Sequence, residues 1–195
     1  MFRVSPKQAV SDFQDFFNLL SHTSFAHLGN KYFWVVMIVD ILQEMTCPCQ
    51  RNILYSDYCA LRTTDGITST TIAGRATACY HHLGVGVLAR FNFISGFRQV
   101  SPSQVVVSDF ANYCLKLIDR ITLLVTRYAG YCGSMGYSTG QSSARFDNIW
   151  SLITDSKRPG MLLATDDDYD AIHHIDTLSS SPQRVSVFHR DTSNL

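Results

Sequence analysis

The 195-residue chain is long enough for one domain with a sizeable core. It is 46% hydrophobic and only 16% charged, against roughly 25% in an average soluble domain. Its 16 basic residues balance 16 acidic ones, which excludes charge repulsion as a force keeping copies apart and leans toward a chain that buries surface against other chains.

In chain order, MFRVSPKQAVSDF carries no apolar segment of the secretory kind. Residues 8–21 place Val10, Phe13, Phe16 or Phe17, and Leu20 at helical spacing after a Ser5-Pro6 start. Residues 31–45 predict a second helix, which Cys47-Pro48-Cys49 ends. Its apolar run, residues 32–39, is interrupted by Asp40 and is far shorter than the roughly 20 residues that span a bilayer. A soluble, intracellular protein with no membrane partner is expected. Residues 50–70 read as loop with one or two short strands, and residues 71–94 as a third helix despite internal glycines. After the Ser101-Pro102-Ser103 punctuation, ten apolar positions from Val107 through Phe110, Cys114 and Ile118 to Tyr128 follow a 3,4 rhythm. That pattern predicts a long amphipathic helix. Beyond residue 155 the composition turns polar and acidic. The reading is all-α: a four-helix bundle with a small mixed or irregular excursion over residues 1–155, a flexible polar extension over 156–195, and no internal repeat.

Signals for chemistry are sparse. Cys47 and Cys49 are one residue apart, closer than a zinc site needs, and all six cysteines are expected to be reduced and mostly structural. His81-His82 and His173-His174 are adjacent pairs, and Asp166, Asp167, Asp168 and Asp170 lack the glycine and distal glutamate of an EF-hand loop. No nucleophile elbow or phosphate-binding loop is present. No catalysis, no cofactor and no metal are expected; a small metal-dependent enzyme using His81, His82 and the Asp166 cluster is the least favoured alternative. Arg90, Arg98, Lys116, Arg120 and Arg127, interleaved with phenylalanines, form a stripe able to neutralise a few phosphates.

The order of these pieces resembles the coat proteins of rod-shaped plant RNA viruses of the tobamovirus type. The resemblance rests on Leu28-Gly29-Asn30-Lys31-Tyr32 before the second helix, and on Val107-Ser108-Asp109-Phe110-Ala111 at the start of the last one. Gly136-Tyr137-Ser138 through Ser143, Phe146, Asp147 and Trp150 complete it. It implies a coat protein that polymerises into a helical rod around single-stranded RNA, in the virion and the host cytoplasm. RNA contacts would fall at Arg90, Arg98, Asp109, Lys116 and Arg120, and a subunit interface at Tyr137, Phe146 and Trp150. The family's paired basic residues after the third helix are not reproduced. The alternative is a cellular all-α interaction subunit of a larger complex that binds protein and not RNA.

Overall fold

A computed structural model describes residues 53–179 and 182–190. They form three antiparallel sheets, and the only helical segments among them are two 3-10 turns. The four-helix bundle is therefore overturned, and with it the coat-protein resemblance and both functions that rested on an all-α chain. The helices predicted over 8–21 and 31–45 lie outside the described residues.

The first sheet comprises β1 (Ile53–Asp57), β2 (Ala60–Thr64) and β3 (Ser69–Gly74). The second orders β4 (Gly84–Val85), β8 (Leu124–Ala129), β7 (Cys114–Asp119), β6 (Gln104–Asp109) and β5 (Ile94–Ser101). The third is a meander of β9 (Ile149–Thr154), β10 (Met161–Asp166), β11 (Ala171–Asp176) and β12 (Arg184–Arg190). The boundary drawn at residue 155 falls in the turn between β9 and β10, inside one sheet.

The sheets are stacked in layers around two cores. Leu54, Leu61, Ile72, Phe91, Phe97, Val105, Val107 and Ile118 fill the space between the first and second sheets. Val106, Leu115, Tyr128, Phe146, Leu152, Leu162 and Ile175 fill that between the second and third. The middle sheet is thus buried on both faces, and β6 sends Val105 and Val107 one way and Val106 the other. A strand buried on both faces reads as a continuous apolar run and loses the alternation that marks a half-buried strand. This is why residues 107–128 mimic a helix. Their 3,4 rhythm steps across the end of β6, a 3-10 turn at Phe110–Asn112, β7 and β8, and puts Ile121 at 80% exposure on a turn. Residues 71–94, the third predicted helix, are β3, β4 and a 3-10 turn at Gly86–Leu88.

The sheets meet closely where β5 crosses β9. A Cβ on Gly96 would stand 2.8 Å from the Trp150 carbonyl oxygen, so only glycine fits there. The hydroxyls of Ser95 and Ser108 each donate to the Ile149 carbonyl at 2.6 Å.

The chain also repeats itself, against the reading of the sequence. Ala89-Arg90-Phe91 and Ile94 recur as Ala144-Arg145-Phe146 and Ile149, 55 residues on. In each sheet the first described two-strand hairpin that turns at the common end closes on an aspartate, and a basic residue follows on the next strand: Asp57 with Arg62, Asp109 with Lys116, Asp166 with His173. The basic residue's register partner is always the residue two before the aspartate, namely Tyr55, Val107 and Ala164, so each pair is a diagonal cross-strand neighbour. Consecutive antiparallel sheets of three, five and four described strands, packed face to face and built to one pattern, follow the radial logic of propeller blades.

The middle pair is sealed. Lys116 Nζ lies 2.5 Å from Asp109 Oδ2 with both side chains fully buried. It also donates to the Arg90 carbonyl at 2.7 Å and sits 4.9 Å above the Phe91 ring. Burial pushes the Lys116 ammonium below its usual pKa, and Asp109 opposes that shift.

Lys116→Met should lower the unfolding free energy by about 3–5 kcal/mol in urea titration, because it leaves a buried carboxylate without its cation. Asp57→Asn should cost no more than about 1 kcal/mol, since the side chains of that pair are 31% and 24% exposed. Equal losses at the two sites would show that burial does not set the cost.

Candidate functional site

The aspartates of the second and third sheets also fix the segments leading into β5 and β9. Asp109 Oδ1 accepts the Asn92 backbone N–H at 2.6 Å, and Asp166 Oδ2 accepts the Asp147 N–H at 3.2 Å. The Phe93 and Asn148 carbonyls then receive the N–H groups of Phe110 and Asp167 at 2.9 and 3.2 Å. Loops after the aspartates and loops before β5 and β9 are thereby held together at one end of the stacked sheets.

Four aromatic rings meet on this end. Phe93 lies 5.4 Å from Tyr58 and 5.4 Å from Phe110, and Trp150 lies 4.7 Å from Phe110 and 6.2 Å from Phe93. Tyr58 is 54% exposed and the other three are half-buried. None of the four belongs to either core. The loops beneath them are strained: of five described non-glycine residues with positive φ, Tyr58, Phe93, Tyr113 and Asp170 are all here. Such conformations cost on the order of 1 kcal/mol or more each and persist where the surrounding structure enforces them.

Beside the aromatic cluster the third sheet presents carboxylates. Asp147 is buried, and its carboxyl is raised above the ordinary range by burial first, then by Asp168 and Asp166. Asp166 is held by His173 Nε2 at 3.1 Å, while its Oδ1 has no partner. The Asn148 amide donates to Asp168. Tyr137 packs against Tyr169 at 5.0 Å and His173 at 5.7 Å. Among the described residues no three His, Cys, Asp or Glu side chains come together to hold a metal ion.

Two disulfides brace the same end. Cys59, just before β2, is tied to Cys79 after β3, and Cys114, at the start of β7, to Cys132 after β8. The expectation of reduced thiols is corrected for these four; Cys47 and Cys49 lie outside the described residues. The two Cys positions flank Tyr58 and Tyr113, so the staples immobilise the strained loops.

The residues singled out from sequence scatter. Asp109 and Lys116 are brought together, but as the sealed ion pair, with no surface for a phosphate. Arg90 turns its guanidinium onto the Val87 and Ala89 carbonyls. Arg98 bonds the Thr154 hydroxyl at 3.0 Å, linking β5 to β9. Arg120 sits in the β7–β8 turn, at the opposite end. Phe146 is fully buried in the second core, Tyr137 lies against His173, and Trp150 alone joins the aromatic cluster. His81 neighbours Lys116 and does not combine with the Asp166 run. In the sequence Phe93 and Phe110 read only as apolar or interleaved aromatic positions and Asp147 only as part of a resemblance, while Tyr58 is not singled out; what marks all four is their place beside the recurring aspartates and the Ala-Arg-Phe element.

No protein-family model matches the chain, and no curated protein matches it. Two crystal structures from Bacteroides thetaiotaomicron share its fold. One is a protein with a provisional phosphatase name, 17% identical over 69% of this chain and 32% of that one, with a TM-score of 0.56. The other is an auxiliary nutrient binding protein, 16% identical over 89% of this chain and 42% of that one, with a TM-score of 0.55. The chain therefore spans less than half the length of either, and the likeness concerns the all-β fold, not activity.

Mass mapping of the unreduced, alkylated protein should find Cys59, Cys79, Cys114 and Cys132 unmodified; alkylation at any of them overturns the pairing. Removing either staple by a double Cys→Ser change should cost about 3 kcal/mol of stability, as expected for loops of this length.

Proposed function

We propose that the chain is a non-catalytic recognition module that binds its ligand across the end where Tyr58, Phe93, Phe110 and Trp150 meet. The observation that carries this reading is the aromatic cluster itself. Four large rings lie outside both cores, partly exposed, on loops held strained by buried aspartates and braced by disulfides. A fold needs no such arrangement for its own packing, whereas rigid, part-exposed aromatic side chains are favourable binding anchors.

The chemistry nearby narrows the ligand. Asp147, Asp167, Asp168 and Asp170 share this end, so a phosphate-rich strand stacking on the rings would meet repulsion. The Asp166–His173 pair is sealed and cannot reach a substrate, which supports the absence of catalysis. Two disulfides favour an oxidising compartment over a reducing cytosol. The nutrient-binding name of one structural neighbour agrees with a binding role.

Probing peptide and glycan arrays with the protein and with its Phe110→Ala and Trp150→Ala forms tests this. Binders should appear, and each substitution should weaken them at least tenfold, about 1.4 kcal/mol, without shifting the thermal midpoint greatly. Binders indifferent to both changes would place the site elsewhere. Hydrolysis of p-nitrophenyl phosphate that vanishes in Asp166→Asn would replace this reading with an enzymatic one.

A further inference from the structure

Asp147 is 7% exposed, yet among the described residues its carboxylate has no hydrogen-bond or ion-pair partner. Its one described bond runs from its backbone N–H to Asp166 Oδ2. The repeat supplies an internal comparison. Asn92 stands at the equivalent position of the middle sheet, 55 residues earlier, and makes the same backbone bond to Asp109 with a neutral side chain. The fold thus requires the N–H at this place and not a negative charge. The third sheet nevertheless buries one there, next to two further carboxylates.

We propose that Asp147, with Asp168 and Tyr169 beside it, seats an organic cation, an ammonium or guanidinium group carried by the ligand of the aromatic end face. This rests on the reading that this end binds a ligand, and names the chemical class. A buried carboxylate without a cation is costly, and a ligand's cation relieves that cost. Asp166, whose buried Oδ1 has no partner and whose Oδ2 is engaged by His173, adds its negative charge to the same corner without touching the ligand. Asp168 keeps acceptor capacity beyond its bond from Asn148. The Tyr137 and Tyr169 rings, tilted against each other at 53°, belong to the same corner, and aromatic faces attract organic cations. A divalent metal lacks the donors it needs here: no three suitable side chains converge among the described residues. Trp150, three residues on from Asp147 and packed on Phe110 at 4.7 Å, would hold the apolar part of the same ligand, so the ligand is cationic at one point and apolar beside it.

The test uses the full chain and defined probes: Nα-acetyl-lysine methylamide, Nα-acetyl-arginine methylamide, tetramethylammonium and calcium chloride at matched ionic strength. Thermal unfolding and amide chemical shifts are followed for the wild type and Asp147→Asn. At least one organic cation should raise the thermal midpoint with concentration and shift resonances around Asp147 and Tyr169, while calcium does not. Asp147→Asn should weaken that binding at least tenfold and raise the midpoint of the free protein. The proposal is overturned by an equal response to calcium, by no response to any organic cation, or by a lowered midpoint in Asp147→Asn, which would reveal an internal partner. The two readings fail separately. Array binders that need Trp150 but carry no cation reject only the cation seat, and a cation response without Trp150-dependent binders rejects only the aromatic face.

Discussion

A carboxylate at the end of a strand, answered by a basic side chain diagonally across on the next, is the constraint on which the rest of this structure depends. An aspartate there has more acceptor capacity than one such partner uses. At Asp109 and Asp166 the remainder takes the backbone N–H of the residue leading into β5 or β9, and so ties the turn of one hairpin to the incoming loop. In the middle sheet Lys116 extends the tie further, because its ammonium also holds the Arg90 carbonyl and covers Phe91. Each sheet keeps the geometry while changing the basic partner from Arg62 to Lys116 to His173. Phe146 lies 5.1 Å from the His173 ring, as Phe91 lies under Lys116, so the aromatic floor is preserved along with the pair. Buried ion pairs are weak sources of stability but expensive to break singly. Their value here is positional: they fix where the loops of the site end must stand.

A scaffold fixed in this way leaves the adjacent loop residues free to differ. Phe93 and Phe110 of the middle sheet are replaced by Asn148 and Asp167 in the third, and Asn92 by Asp147. One loop pair is aromatic and the other acidic, over the same backbone bonds. The staples differ as well. Cys114 begins β7, whereas Ala171 begins β11 at the matching point, and there Tyr137 closes over His173 and Tyr169. Function carried by such differences is invisible to any argument from fold alone.

Little of the fold was legible in the sequence, for identifiable reasons. Strand signals depend on alternation, and β6 has none because Val105, Val106 and Val107 are all buried, in two different cores. The turn between β7 and β8 places Ile121 and Leu124 in helical spacing with Cys114 and Ile118, although both are exposed. Low charge reads as a lean toward surface buried against other chains, and it says nothing of helix or strand. The repeat was in principle readable: Ala-Arg-Phe followed by Ile, then an aspartate with a Lys or His seven residues later and another aspartate three beyond that, occurs twice. Unequal loops hide the third copy, where Arg62 follows Asp57 by five. Of the candidate site, Trp150 was singled out for a different role, and Asp147 was noticed without a function. Its significance comes from the contrast with Asn92, which requires the repeat to be recognised first.

The two ends of the sheets treat their carboxylates in opposite ways, and that contrast separates structural acids from a ligand-directed one. At the far end Asp65, Asp119 and Asp155 each accept backbone N–H groups of their own turns, from Thr68 and Ile67, from Thr122 and Ile121, and from Lys157. Those bonds hold all three below the usual carboxylate range. Their contribution is present above the unfolded pKa and fades as pH falls through the folded one. Asp147 runs the other way. Its folded pKa is raised, so its ionised form opposes folding near neutral pH, and that opposition lessens as pH falls and the carboxyl takes up a proton. A turn-capping aspartate is complete within the protein. Asp147 is complete only when something outside the described fold brings it a positive charge, and the aromatic surface beside it gives that partner a place to lie.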